Sequence, residues 1–410
     1  MIWNLIQIKE NQFYIQNQYN KKFIGISNNL TLILNDFAIH GGFIFEFLKL
    51  FEETKINSNL KIINKEPIDI IIKYIDLTDK SLTRSGIKQI YKDKDNEELR
   101  YSIRSILENI PWIRKIFILM PNQKVRFFKS EEEINDKIVY VKDKDLLGYD
   151  SANNVAFTLN LHRMEKFGVS KNFIYMDDDY FYGKSLKKSD FFYYDKKDEK
   201  IYPFIITSRF KEINKTFVFE NYLTLFKIKD SFNPHSYKGF TFSILCTEKF
   251  FLENSNISLI KTEHTHNAIP QNIDDLKEMF ELVKKYKYIN ETLKSKERYI
   301  LRISQQHCYN LFQLNFKHKK VHYIPYKYIP LEKIKKYKLN SPLFVLNTGG
   351  NHIPLNRQYN IEKKIMKKVF NYPSIYEIYN VKDKKKSNIF FFNHYLLFFI
   401  LIKIFEKCYP

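Results

Sequence analysis

Short apolar runs rich in β-branched and aromatic residues recur along the chain, separated by segments whose apolar residues repeat at helical spacing. Runs of this length are too short for helices and predict buried strands. The predicted strands are 68–75, 116–120, 138–141 and 173–176, and the predicted helices between them are 96–109 and 151–167. Such alternation predicts an α/β fold with a mainly parallel sheet flanked by helices.

The rest of the chain shows weaker periodicity. A lysine-rich, aromatic stretch at about 184–200 is predicted to be an exposed insertion, and 201–260 to contain short strands and loops. Helices are predicted within 271–317, and a last strand at 343–346 follows a connector at 323–330. We expect a small N-terminal α/β prelude, a main domain whose C-terminal part is helical, and a tail, at 1–66, 67–379 and 380–410 respectively.

The tail joins a basic run, 382–386, to an apolar run, 389–402. Spanning a bilayer takes roughly 17–25 mostly apolar residues. Residues 382–402 are therefore expected either to contact a membrane surface peripherally or to dock on the core as a helix. The N-terminus lacks a basic segment followed by an apolar core, and the three cysteines form no disulfide or zinc pattern, so we expect a cytoplasmic location.

Charge narrows the range of partners. The chain has 67 basic and 46 acidic residues, a formal net charge of +21. This excess favours a polyanionic partner, although lysines that merely cover the surface are an equally good explanation.

The strongest chemical signal is Asp177-Asp178-Asp179, directly after the apolar run 173–176. Three neighbouring anions beside a buried strand need a cation or a proton to neutralise them. The carboxyl ends of strands in α/β sheets are the usual ligand-binding edge. Asp76 follows another predicted strand, so all these acids should converge if the two strands are neighbours. The alternative is a solvated acidic turn.

Basic and imidazole side chains add to this picture. Arg100 and Arg104 are four residues apart on one helix face, which suits either a clamp for phosphate oxygens or ion pairs with surface acids. His264 and His266 lie on one side of an extended segment, without a third ligand at zinc spacing. They are better explained as a base or a nucleophile than as metal ligands.

Several of these segments resemble the Stealth family, which includes bacterial capsular polysaccharide sugar-phosphate transferases and the animal GlcNAc-1-phosphotransferase. The resemblance covers roughly 67–379. Its second region matches best, through 95–106, 111–116, 161–163 and 173–183. Asp177 stands where the family usually has Asn, and Asn153 falls on a family Asn.

The other regions match more loosely. Tyr74-Ile75-Asp76 replaces Trp-Val-Asp in the first region. In the third, His266 matches the histidine segment with His264 as its rival, and Arg298 matches the arginine that follows, with Arg302 as second choice. In the fourth, Thr348 follows Asn347 where Asp is usual, and 371–377 fits the closing Pro-Ser-x-x-Glu.

The resemblance implies a Rossmann-like, GT-A-like sheet that binds a nucleotide-sugar. The implied reaction transfers a hexose-1-phosphate to a glycan or polysaccharide acceptor, with a divalent cation, Mg²⁺ or Mn²⁺, as cofactor. The implied roles are catalytic for Asp179 and His266, metal-binding for Asp178, and substrate-binding for Asp76, Arg100, Arg104, Asn153, Arg298 and Asn347. His266 would act either as a base or as a nucleophile.

Two alternatives remain. A metal-dependent glycosyltransferase would move the sugar alone, since its Asp-x-Asp motif also follows a strand. A non-catalytic nucleic-acid-binding protein is a remote alternative, because acids at a strand end repel phosphates. We therefore expect no nucleic-acid partner.

Overall fold

The computed structural model shows two compact units, Met1–Lys61 and Ile62–Pro410. The structure describes the following residues: 3–9, 12–17, 23–26, 32–33, 59–76, 79, 81–82, 97–129, 137–207, 209–233, 236–262, 268–296, 299–330, 341–347, 355–370, 374 and 376–377.

The first unit contains an antiparallel four-stranded sheet in the order β1-β2-β3-β4. Its strands are β1 (Trp3–Lys9), β2 (Gln12–Asn17), β3 (Phe23–Ile26) and β4 (Leu32–Ile33). The chain is helical at 59–65, across the boundary between the two units, and the small α/β prelude at 1–66 stays a prediction.

The second unit alternates strands and helices. Its strands are β5 (Ile68–Lys73), β6 (Ile116–Met120), β7 (Ile138–Lys142), β8 (Asn172–Asp177), β9 (Tyr180–Tyr182), β10 (Phe192–Asp195), β11 (Lys200–Pro203), β12 (Ile205–Ile206), β13 (Phe210–Glu212), β14 (Ile260–Thr262), β15 (Ile269–Asn272), β16 (Val321–His322), β17 (Tyr326–Pro330) and β18 (Leu343–Asn347). Its helices are α1 (Glu98–Asn109), α2 (Asp143–Leu147), α3 (Asn154–Leu159), α4 (Lys215–Lys227), α5 (Tyr237–Glu253), α6 (Ile273–Val283), α7 (Ile289–Lys294), α8 (Gln305–Asn315) and α9 (Leu355–Val369).

A five-stranded sheet in the order β15-β8-β5-β6-β7 forms the centre of this unit. The strands β8, β5, β6 and β7 run parallel, and β15 is an antiparallel edge strand. The α/β prediction is confirmed. The strands predicted at 68–75, 116–120, 138–141 and 173–176 are all present, and they are the four parallel strands of the sheet.

Alternating residues of these strands pack into two separate cores. Ile70 and Ile72 lie on one face with Leu99 and Ile103 of α1. Ile71 lies on the other face, in the core that also includes residues of α3, α5, α6 and α8. Helices therefore cover both faces, as the apolar parallel strands require.

A second sheet, in the order β17-β18-β9, joins the central one at the acidic triplet. β8 ends at Asp177 and β9 begins at Tyr180, so only Asp178 and Asp179 separate them. β9 pairs antiparallel with β18, with Tyr180 opposite Val345. The triplet therefore lies at the junction of two sheets.

Two predicted segments differ from the structure. The single helix predicted over 151–167 is instead α3 followed by a 3-10 helix, Leu161–Phe167. The region 201–260, predicted as strands and loops, contains α4 and α5. Both helices are rich in Phe, Tyr and Thr, residues that favour strands, and packing overrides that preference.

Two further segments are better ordered than predicted. The stretch 184–200 was expected to be exposed, but Phe191 and Phe192 are fully buried and anchor the β10–β11 hairpin. Residues 326–330, predicted as a connector, form β17, parallel to β18. Phe191 and Phe192 in the first segment and Ile329 in the second pack into the protein. A lysine-rich or proline-flanked sequence conceals this burial.

The predicted membrane contact at 382–402 lies outside the described residues. Among the helices that the structure describes, none is long and apolar enough to cross a bilayer.

Candidate active site

The acidic triplet lies at the carboxyl edge of the central sheet. β5 and β8 are parallel neighbours, with Lys73 opposite Asp177, so their carboxyl ends meet at one edge. The condition under which the sequence predicts that these acids converge, that the two strands are neighbours, is therefore met. Asp76 lies three residues beyond β5 and is buried, with its carboxylate 3.6 Å from Nη2 of Arg126.

Proximity and burial perturb the acids of this edge. Burial, with the nearby Asp177 carboxylate as the second cause, raises the pKa of Asp179 to about 7. The same two causes raise the pKa of the Tyr180 hydroxyl. Burial, and next the charge of Asp179, raises the pKa of Tyr328 on β17. Asp179 is therefore poised to exchange a proton near neutral pH.

A cavity of about 200 Å³ opens beside Asp177. The Tyr175 hydroxyl lies 2.9 Å from Oδ1 of Asn154 and 3.1 Å from Oδ1 of Asp177, so it orients both groups. The wall also carries one cationic side chain, Arg302. The lining residues are Asn154, Val155, Thr158, Tyr175, Met176, Asp177, Tyr180, Phe240, Ile269, Arg302, Ser304, Gln305 and Gln306.

A buried ion pair that the sequence does not predict lies at the same edge. Nζ of Lys73 donates to both carboxylate oxygens of Asp143, at 3.0 and 3.1 Å, and lies 3.7 Å from the centre of the Phe157 ring. Burial lowers the pKa of Lys73 and raises that of Asp143 to about 6. The negative charge of Asp178 acts to raise the pKa of Lys73, against the larger effect of burial. The sequence signal for this pair is a lysine that directly follows three isoleucines of a buried strand.

Arg100 and Arg104 do not form an open phosphate clamp in this structure. Glu377, which is fully buried, accepts hydrogen bonds from Nε and Nη2 of Arg104, at 2.7 and 2.6 Å, and another from Nε of Arg100. Arg104 also donates to the carbonyl of Phe370, at 2.6 Å. The geometry therefore favours ion pairs with an acid over a phosphate clamp. That acid, Glu377, is buried and not on the surface.

Asn153 has a structural position. Its side chain is fully buried, accepts from the backbone N–H of Val155 and so caps α3. Its amide nitrogen donates to the carbonyls of Thr292 and Ser295, at 2.8 and 3.2 Å. Because both N–H groups are used, direct substrate binding by this side chain is not supported. Its neighbour Asn154 is the residue that lines the cavity.

The remaining predicted site residues are only partly visible. His264, His266 and Arg298 lie outside the described residues, and their roles stay predictions. Asn347 ends β18, the partner strand of β9, but its side chain is not described. Arg302, the second choice for the family arginine, is buried and lines the cavity.

The described residues include no cluster of three His, Cys, Asp or Glu side chains arranged to hold a metal ion. Mg²⁺ in nucleotide enzymes is commonly held by one or two carboxylates together with substrate phosphates and water. Asp177 and Asp178 are adjacent half-buried carboxylates at this edge and match that smaller requirement in number.

Comparisons with known proteins match this part of the chain. Residues 92–200 match the profile described as Stealth protein CR2, conserved region 2. Capsular polysaccharide phosphotransferase cps12A of Actinobacillus pleuropneumoniae is 27% identical over 207 residues, which cover 43% of this chain and 54% of that protein. Fcs1 of Haemophilus influenzae, of the same description, is 32% identical over 144 residues, covering 31% and 38%.

An animal relative matches over a shorter stretch. The human N-acetylglucosamine-1-phosphotransferase subunits alpha/beta are 36% identical over 113 residues, 27% of this chain and 8% of that protein. The chain thus spans about half, or much less, of the length of these relatives.

Solved structures match only distantly. Galactosyltransferase LgtC in complex with donor and acceptor sugar analogs aligns with a TM-score of 0.31 at 12% identity, over 78% of this chain and 99% of that chain. A TM-score this low establishes no shared fold. The profile match and the aligned phosphotransferases agree with the motifs that the sequence shows: residues 92–200 of this chain are similar to conserved region 2 of the Stealth proteins.

Proposed function

We propose that this protein is a sugar-phosphate transferase. It would move a hexose-1-phosphate from a nucleotide-sugar to a hydroxyl group of a glycan or polysaccharide, forming a phosphodiester and releasing a nucleoside monophosphate. The observation that carries the proposal is the acidic triplet at the edge shared by β5 and β8, beside a cavity that also presents a buried arginine. The relatives described as phosphotransferases support the same reaction class.

Arg302 is the cation that would bind the donor phosphate. It is 4% exposed and lines the cavity together with Asp177. Breaking a diphosphate requires positive charge on the oxygens that become more negative in the transition state. Arg302 is placed to meet this requirement because it lines the cavity, which Arg100 and Arg104 do not. Arg298 stays a candidate beside it.

Asp177 and Asp178 would hold the divalent cation, Mg²⁺ or Mn²⁺. When bound, such an ion neutralises phosphate oxygens and stabilises the leaving nucleotide. Their carboxylates are only half-buried, so phosphate oxygens and water can complete the coordination. Asp76, on the neighbouring strand end, would contribute to donor binding from the same edge.

Asp179 would act as the general base on the acceptor hydroxyl. A base is most effective when its pKa is close to the working pH, and that of Asp179 is about 7. His266 is the competing candidate, as base or nucleophile. Asn153 would support the site indirectly by capping α3, whose residue Asn154 contacts Tyr175. Asn347, at the end of β18, would contact substrate.

The test is the identity of the released nucleotide. The protein is incubated with a panel of nucleotide-sugars, Mg²⁺ or Mn²⁺, and glycan acceptors, and the nucleotide product is separated by chromatography. We expect a nucleoside monophosphate and a phosphodiester-linked product, both lost in Asp179→Asn and retained in the exposed-acid control Asp198→Asn. A nucleoside diphosphate would instead identify a glycosyltransferase that moves the sugar alone.

A further inference from the structure

The wall of the cavity includes the N-terminus of α8, through Ser304, Gln305 and Gln306. α8 has eleven residues. Ser304 occupies the cap position without accepting a hydrogen bond from the helix. The first N–H groups of a helix lack intrahelical acceptors and carry partial positive charge. This end of the cavity wall therefore attracts an anionic oxygen.

Gln305 provides a second, independent observation. It is 5% exposed and lines the cavity, and its Nε2 has no hydrogen-bond acceptor among the described residues. Buried donors in native proteins are almost always paired, because an unpaired one destabilises the fold. A ligand in the cavity would supply the missing acceptor.

The charges of the wall define the ligand class. Arg302, the α8 N-terminus and Gln305 offer donors and positive charge, whereas Asp177 offers a carboxylate. A phosphate alone would be repelled by Asp177. A diphosphate carrying a divalent cation matches both parts of the wall, because the cation faces the carboxylate and the oxygens face the donors.

We propose that Nε2 of Gln305 and the first N–H groups of α8 bind a phosphate oxygen of the donor's diphosphate, an assignment that rests on the proposed function. Gln305 is then a substrate-binding residue, and its unpaired donor is a stability cost that ligand binding relieves. The proposal assigns a role to a glutamine that no motif of the sequence singles out.

Gln305→Met tests this directly, because Met has a similar length but no donor. We expect it to weaken the binding of Mg²⁺-pyrophosphate, measured by isothermal titration calorimetry, by about tenfold or more, as for loss of a hydrogen bond to a charged group. The melting temperature without ligand should stay the same or rise, since a buried unpaired donor has been removed. Gln313→Met, at a buried glutamine of the same helix that does not line the cavity, should leave pyrophosphate affinity unchanged.

The outcomes separate this proposal from the proposed function. Unchanged pyrophosphate affinity in Gln305→Met would overturn the assignment, even if the wild type releases nucleoside monophosphate. Lower affinity together with a lower melting temperature would also overturn it, since it indicates a structural role. Pyrophosphate binding that depends on Gln305, in a protein that cleaves no nucleotide-sugar, would support the subsite and contradict the transferase activity.

Discussion

Replacing Glu377 by Gln should destabilise the protein strongly, because this carboxylate compensates two arginines at once. Glu377 is fully buried, and Arg104 and Arg100 are only 8% and 16% exposed. Although burial acts to raise the pKa of Glu377, Arg104 and Arg100 together hold it below its usual value. The backbone N–H of Ser374 donates to the same carboxylate, at 2.7 Å.

The magnitude follows from what the substitution leaves behind. Removing one member of a buried ion pair typically costs about 3–5 kcal/mol, since the remaining charge stays buried without compensation. That is a large part of the roughly 5–15 kcal/mol by which domains are stable. The depressed pKa adds a pH dependence: the stabilisation by Glu377 is present above the pKa of an unfolded Glu and is lost as pH falls through the folded value.

Urea unfolding followed by circular dichroism measures this loss. Glu165→Gln is the matched control, because Glu165 forms an exposed pair with Lys277 at 2.7 Å and should change the free energy of unfolding by less than about 1 kcal/mol. The double variant Glu377→Gln with Arg104→Met should cost less than the sum of the single variants, by about 0.5–3 kcal/mol.

Two results would refute this reasoning. A loss for Glu377→Gln no larger than that of Glu165→Gln would show that the pair is not buried as described. A second result concerns Arg104→Lys, which should lower stability while leaving the donor KM near the wild-type value. Unchanged stability together with a tenfold higher donor KM would instead support the prediction that Arg104 binds phosphate oxygens.

Three further predictions concern titratable groups. If Asp179 is the base, kcat/KM should fall as pH drops below about 7. The pKa of Asp179 is higher in the folded than in the unfolded protein, so ionising this carboxyl destabilises the fold as pH rises between those two pKa values. Asp179→Asn should therefore raise the melting temperature at pH 8 but not at pH 4. Asp143→Asn should cost about 3–5 kcal/mol in urea unfolding by leaving Lys73 buried and unpaired, and a loss below 1 kcal/mol would contradict the buried pair. Burial raises the pKa of Cys246 to about 12 and that of Cys308 still further above its usual value, so both should react with Ellman's reagent at pH 8 only after unfolding; fast reaction in the native protein would contradict their burial.

Local patterns predicted the central sheet well. The strand at 68–73 contains four isoleucines, and a proline follows the strand at 116–120, so β-branched composition marks the first strand and a breaker marks the end of the second. Local patterns failed where tertiary packing overrides the intrinsic secondary-structure propensity of the residues. The aromatic residues of 215–227 and 237–253 favour strands in isolation, yet their side chains cover one face of the sheet as helices.

The candidate site shows the same limit. Strand-end acids such as Asp76 and Asp179 could be found because acids that follow an apolar run are conspicuous. The partner of Arg104 could not, since Glu377 lies 273 positions away and sequence alone gives no pairing at that distance. Gln305 has no distinguishing pattern, because only the assembled cavity shows that its amide donor lacks an acceptor.

The dependence of α1 and β9 on distant partners has a consequence for synthesis of the chain. β9 follows the acidic triplet but pairs with β18, at 343–347. Arg100 and Arg104 of α1 form ion pairs with Glu377, which is synthesised much later. At about 5–20 residues per second, the roughly 200 residues between Asp179 and Glu377 take on the order of 10–40 s to translate. During that interval Arg104 lacks its buried acidic partner, Arg100 has only the neighbouring Glu97, and β9 is an unpaired strand edge. Chaperone contact and slow-codon effects should therefore be most influential before residue 377 emerges from the ribosome.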